Sequence, residues 1–366
     1  MMQKTSAWPL AWVYIALIVY ASLYPFDGWR IQGIAPWAFL WAPLPQYWTV
    51  FDVISNVLGY APLGFFLTLA FRRTRPHWPA WMIGTLLAAA LSGAMESLQF
   101  FLPARVPSNV DWLLNLLGAL LGGAIAVALT WAGILARWSR FRAKWFIADA
   151  RGALVLLALW PLGLLFPAPV AFGLGQVYER LEEVVTGWLQ GTPWLERLPL
   201  REVELQPLLP GAEVLCVMLG LLLPCLLAFS VVRTLRQRFV ALLALLGVGL
   251  LASALSAALT YGPVHAWDWT SVEVRAGLVA TLFAATASAW WSRRACLVVA
   301  LVCLVLQLVL LNNAATDAYF SLTLQTWEQG RFIRFHGLSQ WIGWLWPYVY
   351  LAYLMQRLSA PSLHDD

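Results

Sequence analysis

Two stretches of the chain carry the same polar residues at the same spacing. Thr49, Asp52, Asn56 and Gly59 stand at i, i+3, i+7 and i+10; Ser108, Asp111, Asn115 and Gly118 repeat the pattern 59 residues later. Both runs open long apolar segments, where polar side chains are costly and a duplicated set of them points to a site. Asp52, Asn56 and Gly59 share one helical stripe, as do Asp111, Asn115 and Gly118. Glu96 and Gln99, three residues apart, share a third, and Arg105 follows in a short loop. Carboxylates, amides and one guanidinium at a common depth would bind a phosphate, carboxylate or sugar headgroup. Helix capping accounts for part of this. Thr49-x-x-Asp52 and Ser108-x-x-Asp111 both fit a capping box. Capping leaves Asn56 and Asn115 unexplained, and also Glu96, which stands where a helix dipole disfavours an anion.

The elements that must hold these residues are membrane helices. Of 366 residues, 61% are hydrophobic and 11% charged, where a soluble domain averages about 25% charged. Mean hydropathy is +0.72. The 23 Trp suit membrane–water interfaces. Apolar runs of about 20 residues fit spanning helices and exceed the roughly 10-residue strands of a β-barrel. The fold class expected is all-α: a polytopic transmembrane bundle of about ten spans, near 8–24, 51–71, 80–102, 111–135, 152–168, 212–232, 240–260, 275–292, 295–311 and 338–356. Val19-Tyr20-Ala21 also has the form of a signal-peptidase site, an alternative reading of the first span. Three domains are expected: a four-span unit over 1–136, a basic cytoplasmic linker over 137–151, and a six-span unit over 152–366.

Placing the N-terminus in the cytoplasm puts 15 of the 23 Lys and Arg inside, among them Lys4, Arg72, Arg73 and Arg140, as the positive-inside rule requires. Both termini are then cytoplasmic. Spans 2 and 4 enter from outside, so Asn56, Glu96 and Asn115 lie roughly 7–11 Å below their helix ends, near the outer leaflet. The two hairpins, spans 1–2 and 3–4, read as parallel repeats whose Asp-Asn stripes face one another. Gly59, Gly64, Gly118 and Gly122 offer small surfaces for close helix packing. The stretch from Ala168 to Gly211, which includes Glu202 and Glu204, contains an amphipathic helix marked by Val177, Leu181, Val184 and Trp188.

Asp52-x3-Asn56, Pro62-Leu63-Gly64-Phe65, Glu96-x2-Gln99, Arg105 and Asp111-x3-Asn115-x2-Gly118-x3-Gly122, together with Ser22-x-Tyr24-Pro25, resemble the VanZ-like family over about residues 8–135. The resemblance implies a bacterial inner-membrane protein of the cell envelope. It also implies a role related to the low-level teicoplanin resistance given by the family's founding members. The six further spans carry no motif.

Three chemistries stay open for the cluster. The first is recognition of a membrane lipid, a lipid-linked cell-wall precursor or a glycopeptide by Asp52, Asn56, Glu96, Gln99, Arg105, Asp111 and Asn115, with Trp29, Trp37, Trp41 and Trp48 packing on an apolar tail or sugar. The second is catalysis on a lipid-linked phosphate, with Asp52, Glu96 or Asp111 as base or cation ligand. The third is transport. No phosphate loop, His-rich metal motif or serine elbow accompanies the cluster, so no catalytic residue, metal ligand or cofactor is assigned. The +5 charge comes without a nucleic-acid-binding motif. His265 and Asp268 read as a solvated loop. Cys216, Cys225, Cys296 and Cys303 read as core residues. Nothing in the pattern specifies an oligomeric state.

Overall fold

The computed structural model describes residues 7–24, 26, 28–31, 33, 35–44, 49–103, 105–197, 205–315 and 333–359. Lys4, Pro25, Trp48, Glu202 and Glu204 lie outside them. Among the described residues there are twelve α-helices and no strand. The chain divides into two compact units, 1–141 and 142–366.

The first unit is built from α1 (Ala7–Leu23), α2 (Val50–Phe71), α3 (His77–Gln99) and α4 (Asn109–Trp131), with α5 (Ile134–Trp145) running out of it. Thr49 and Ser108 accept the backbone N–H of Asp52 and Asp111, so each repeat starts its helix with a side-chain cap. The chain stays helical for five or six turns because the following residues are apolar and, Pro62 aside, good helix formers. α2 is the hub. It packs on α1, α3 and most extensively α4, around a core that includes Leu63, Leu67, Ala88, Met95 and Ala119.

The α2–α4 contact is a small-residue seam. A Cβ added at Gly118 or Gly122 would meet the carbonyl oxygen of Val57 or Ala61, and one at Gly64 would meet Ala119. Gly59 differs from the expectation, because a Cβ there would meet nothing. What fixes Gly59 is its carbonyl, which accepts the Tyr14 hydroxyl at 2.9 Å.

The second unit contains α6 (Arg151–Gly163), α7 (Tyr178–Leu189), α8 (Pro210–Val231), α9 (Leu235–Tyr261), α10 (Val272–Ser288), α11 (Arg293–Asn312) and α12 (Ile333–Ser359). α8 is its pillar. Of its apolar window 83% is buried, against 22–39% for the other five long apolar helices, and α6, α9, α10 and α11 all pack on it. A helix hydrophobic all round belongs inside a bundle. All four cysteines are free thiols, three of them buried here.

Among the described residues six helices are long and apolar enough to cross a membrane: α2, α3, α4, α8, α9 and α11. α1 and α6 are apolar but shorter. The chain is therefore a multi-pass membrane protein. Two elements depart from the expected layout. The basic stretch expected as a linker is largely helical, as α5. The fifth span, expected to be helical to residue 168, stops at Gly163 and continues as irregular chain to Val177. The reason lies at Pro167 and Pro169. Proline has no N–H to donate and biases the residue before it away from helix.

The seam gives a direct test. Gly118→Val or Gly122→Val should destabilise the protein by about 1–3 kcal/mol or more through overpacking, while Gly59→Ala should leave it unchanged or slightly stabilised. Thermal denaturation in a neutral detergent measures this. Equal losses at all three positions would contradict the seam.

Candidate functional site

The seven predicted polar residues gather where α2 and α4 begin and α3 ends, and hydrogen bonds join most of them across helices. The two repeats meet directly: Asn56 Nδ2 donates to Asp111 Oδ1 at 3.0 Å. One turn further into α4, buried Asn115 donates to Ser92 Oγ at 2.9 Å on α3. Glu96, 4% exposed, accepts the backbone N–H of Ser108 at 2.8 Å. Gln99 Nε2 donates to Ser22 O at 3.0 Å. Arg105 donates from Nη2 to Tyr24 O at 2.7 Å and to Ala21 O at 3.1 Å. The guanidinium thus closes the last turn of α1, where a cation complements the exposed carbonyls.

The two aspartates do different jobs. Asp52 closes a full capping box, accepting Thr49 N at 3.0 Å and Thr49 Oγ1 at 2.8 Å. At Asp111 only half of the box forms: Ser108 Oγ caps Asp111 N at 3.3 Å, while the Ser108 N–H goes to Glu96. The Asp111 carboxylate is turned to Asn56 instead. Capping therefore accounts for Asp52, and tertiary fastening accounts for Asn56, Glu96 and Asp111.

Three further residues belong to the cluster. Ser92 receives the Asn115 amide. Tyr60 is buried on α2 and brings its hydroxyl close to Ser92 and Glu96. Trp112 donates Nε1 to Ala89 O at 3.0 Å, tying α4 to α3. Each was available in the sequence as a continuation of a stripe: Ser92 four residues before Glu96, Tyr60 four after Asn56, Trp112 beside Asp111. In this region Asn115 Oδ1 is buried without a hydrogen bond. An unsatisfied buried group costs about 1–3 kcal/mol, so this atom marks where an incoming hydroxyl or water would gain most. Among the described residues no three His, Cys, Asp or Glu side chains are grouped to hold a metal ion.

An apolar groove of about 420 Å³ runs beside the cluster. It is lined by Leu86, Ala89, Ala90, Gly93 and Ser97 of α3, Trp112 of α4, and Phe39 and Leu40 of a single 3-10 turn, Ala38–Trp41. Ser97 follows Glu96 and Trp112 follows Asp111, so groove and polar cluster share two helices at adjacent positions. Trp37, just before the turn, and Trp41, its last residue, are exposed. Trp29 is half-exposed, its Nε1 donating to Phe26 O at 2.8 Å.

Residues 7–132 match the VanZ/LLP1 family. The matched segment runs from the start of α1 to just past α4, so the VanZ-like portion holds the whole cluster. No curated protein and no solved structure is significantly similar to the chain. The second unit lies beyond the VanZ-like portion.

Exchanging the central pair tests whether it fastens the helices. Asn56→Asp sets two carboxylates together and should destabilise the protein by about 1–3 kcal/mol. The exchanged pair Asn56→Asp with Asp111→Asn should recover most of that loss. Thermal melts of wild type, both single variants and the double variant form the cycle; no recovery would place the role of the pair elsewhere.

Proposed function

We propose that the VanZ-like unit recognises an amphiphile at the outer leaflet of a bacterial inner membrane. Its ligand class is an envelope lipid, a lipid-linked cell-wall precursor or a glycopeptide, and its role lies in envelope biogenesis or glycopeptide resistance. In this reading both termini are cytoplasmic and the α2 and α4 N-termini face outward, in line with the excess of Lys and Arg in the opposite loops.

The observation that carries the reading is the apolar groove alongside a polar cluster at the helix ends. An amphiphile needs both parts: an apolar slot for the tail and convergent polar groups for the head. Phe39, Leu86, Ala89 and Trp112 supply the first. The site for the head lies around Asp52, Asn56, Glu96, Asp111 and Asn115, with Asn115 Oδ1 still unpartnered. Arg105 and Gln99 act in this reading as positioning residues, because they hold the end of α1 against α3. The hydrogen-bond network keeps the headgroup site preorganised, which lowers the ordering cost of binding.

Ala90 is exposed on the groove wall, so Ala90→Trp fills the slot without entering the core. It should weaken retention of a polyprenyl phosphate or of teicoplanin by about tenfold or more, since a displaced tail forfeits roughly 0.8 kcal/mol per buried CH₂. Native mass spectrometry of the purified full chain would follow both ligands. Unchanged retention of both by the folded variant would refute the groove as the tail site.

A further inference from the structure

The second unit contains a broken helix and a cavity of about 640 Å³ formed at the break. After α6 ends at Gly163 the chain runs without helix through Leu164, Phe166, Phe172 and Leu174, all of which are buried. Irregular backbone inside an apolar bundle persists only where protein satisfies its polar groups or where it borders a cavity. Both conditions hold. Ser256 Oγ of α9 donates to Leu165 O at 2.9 Å, and Gln307 Nε2 of α11 donates to Phe172 O at 3.4 Å. Asn312 Nδ2 and Tyr348 Oη donate to Gly175 O at 3.0 and 3.1 Å. Three helices thus commit polar side chains to keeping α6 broken. Phe172 is held at a φ of 61°, on the left-handed side, a conformation that a non-glycine residue keeps only when its surroundings enforce it.

The lining selects a cation. Its carboxylates are Glu213, in the first turn of α8, and Asp268, whose Oδ2 lies 2.6 Å from His265 Nδ1. No Lys or Arg lines the cavity. Glu213 has no hydrogen bond or ion pair among the described residues, and the charge of Glu273, at the start of α10, reaches it. The N-termini of α8 and α10 each carry about half a positive charge, less than the carboxylate beside them. The C-terminal end of α6 adds negative potential from the other side. Trp269 packs edge-on against Phe172 with centroids 5.6 Å apart, and Tyr261 completes an aromatic rim. The remaining polar lining is Ser253, Ser256, Ser271 and His265, the last paired with Asp268, and carboxylates beside aromatic rings and hydroxyls match an organic ammonium.

We propose that this cavity is a second binding site, specific for an ammonium group carried on an apolar molecule. The site is independent of the VanZ-like unit. Its ligand is either an ammonium-headed phospholipid or a free amine.

The test uses the full chain in a neutral detergent, titrated with phosphatidylethanolamine and phosphatidylglycerol of identical acyl chains and read by native mass spectrometry. Phosphatidylethanolamine should bind about tenfold tighter than phosphatidylglycerol. Glu213→Gln with Asp268→Asn should abolish the preference, and Ser253→Trp, which fills the cavity from α9, should abolish it by another route. Ala90→Trp should leave it intact, so failure here is separable from failure of the groove in the first unit. Competition by free ethanolamine would assign the site to a soluble amine, and its absence to the lipid; both outcomes support the proposal. Equal binding of the two phospholipids, or a preference that survives both cavity variants, would overturn it.

Discussion

Most polar groups that this chain carries into its apolar bundles find a partner within the chain, and both units are organised around that requirement. In the first unit it decides how the helix ends are fastened. Glu96, 4% exposed, needs partners for its carboxylate, and the Ser108 N–H is one of them, because an unpartnered buried carboxylate is far too costly. That one bond takes away half of the α4 capping box and turns Asp111 toward Asn56. A local economy of hydrogen bonds at one helix start thereby becomes the tie between two repeats.

Close approach of the helices makes the tie feasible. Asn56 and Asp111 have short side chains, and they reach one another because Gly118 and Gly122 let the α4 backbone lie against the carbonyls of Val57 and Ala61. A larger residue in that seam would separate the two stripes, and the amide would lose its acceptor. Packing and polar chemistry are one arrangement at this seam, where Gly118 and Gly122 follow Asp111 along α4.

The sequence disclosed these stripes because helical periodicity and hydropathy are local properties. It placed Asn56, Glu96, Asp111 and Asn115 on faces that hydrogen bonds join across helices. Partner choice was less accessible. Nothing in Thr49-x-x-Asp52 and Ser108-x-x-Asp111 tells a closed capping box from a half-open one, since the difference is made by Glu96 from another helix. Gly59 shows the same limit: its spacing matches that of Gly118, yet its environment is open and its carbonyl serves Tyr14. The break after Gly163 was signalled by Pro167 and Pro169 but hidden by the apolar run that spans them. Its stabilising donors, Gln307 and Asn312, lie well over a hundred residues away.

The burial of α8 bears on how the protein is made. With a window hydropathy of 2.7 it can enter a bilayer unaided, yet in the finished unit most of it is shielded from lipid. Its neighbours α9, α10 and α11 emerge later in synthesis, so α8 begins as a lipid-exposed segment and is enclosed as they arrive. α6, with 13 residues, is too short to cross by itself and must wait for its irregular continuation to be gripped by α9, α11 and α12. One of the earliest segments of this unit to be translated is therefore among the last to gain all its partners.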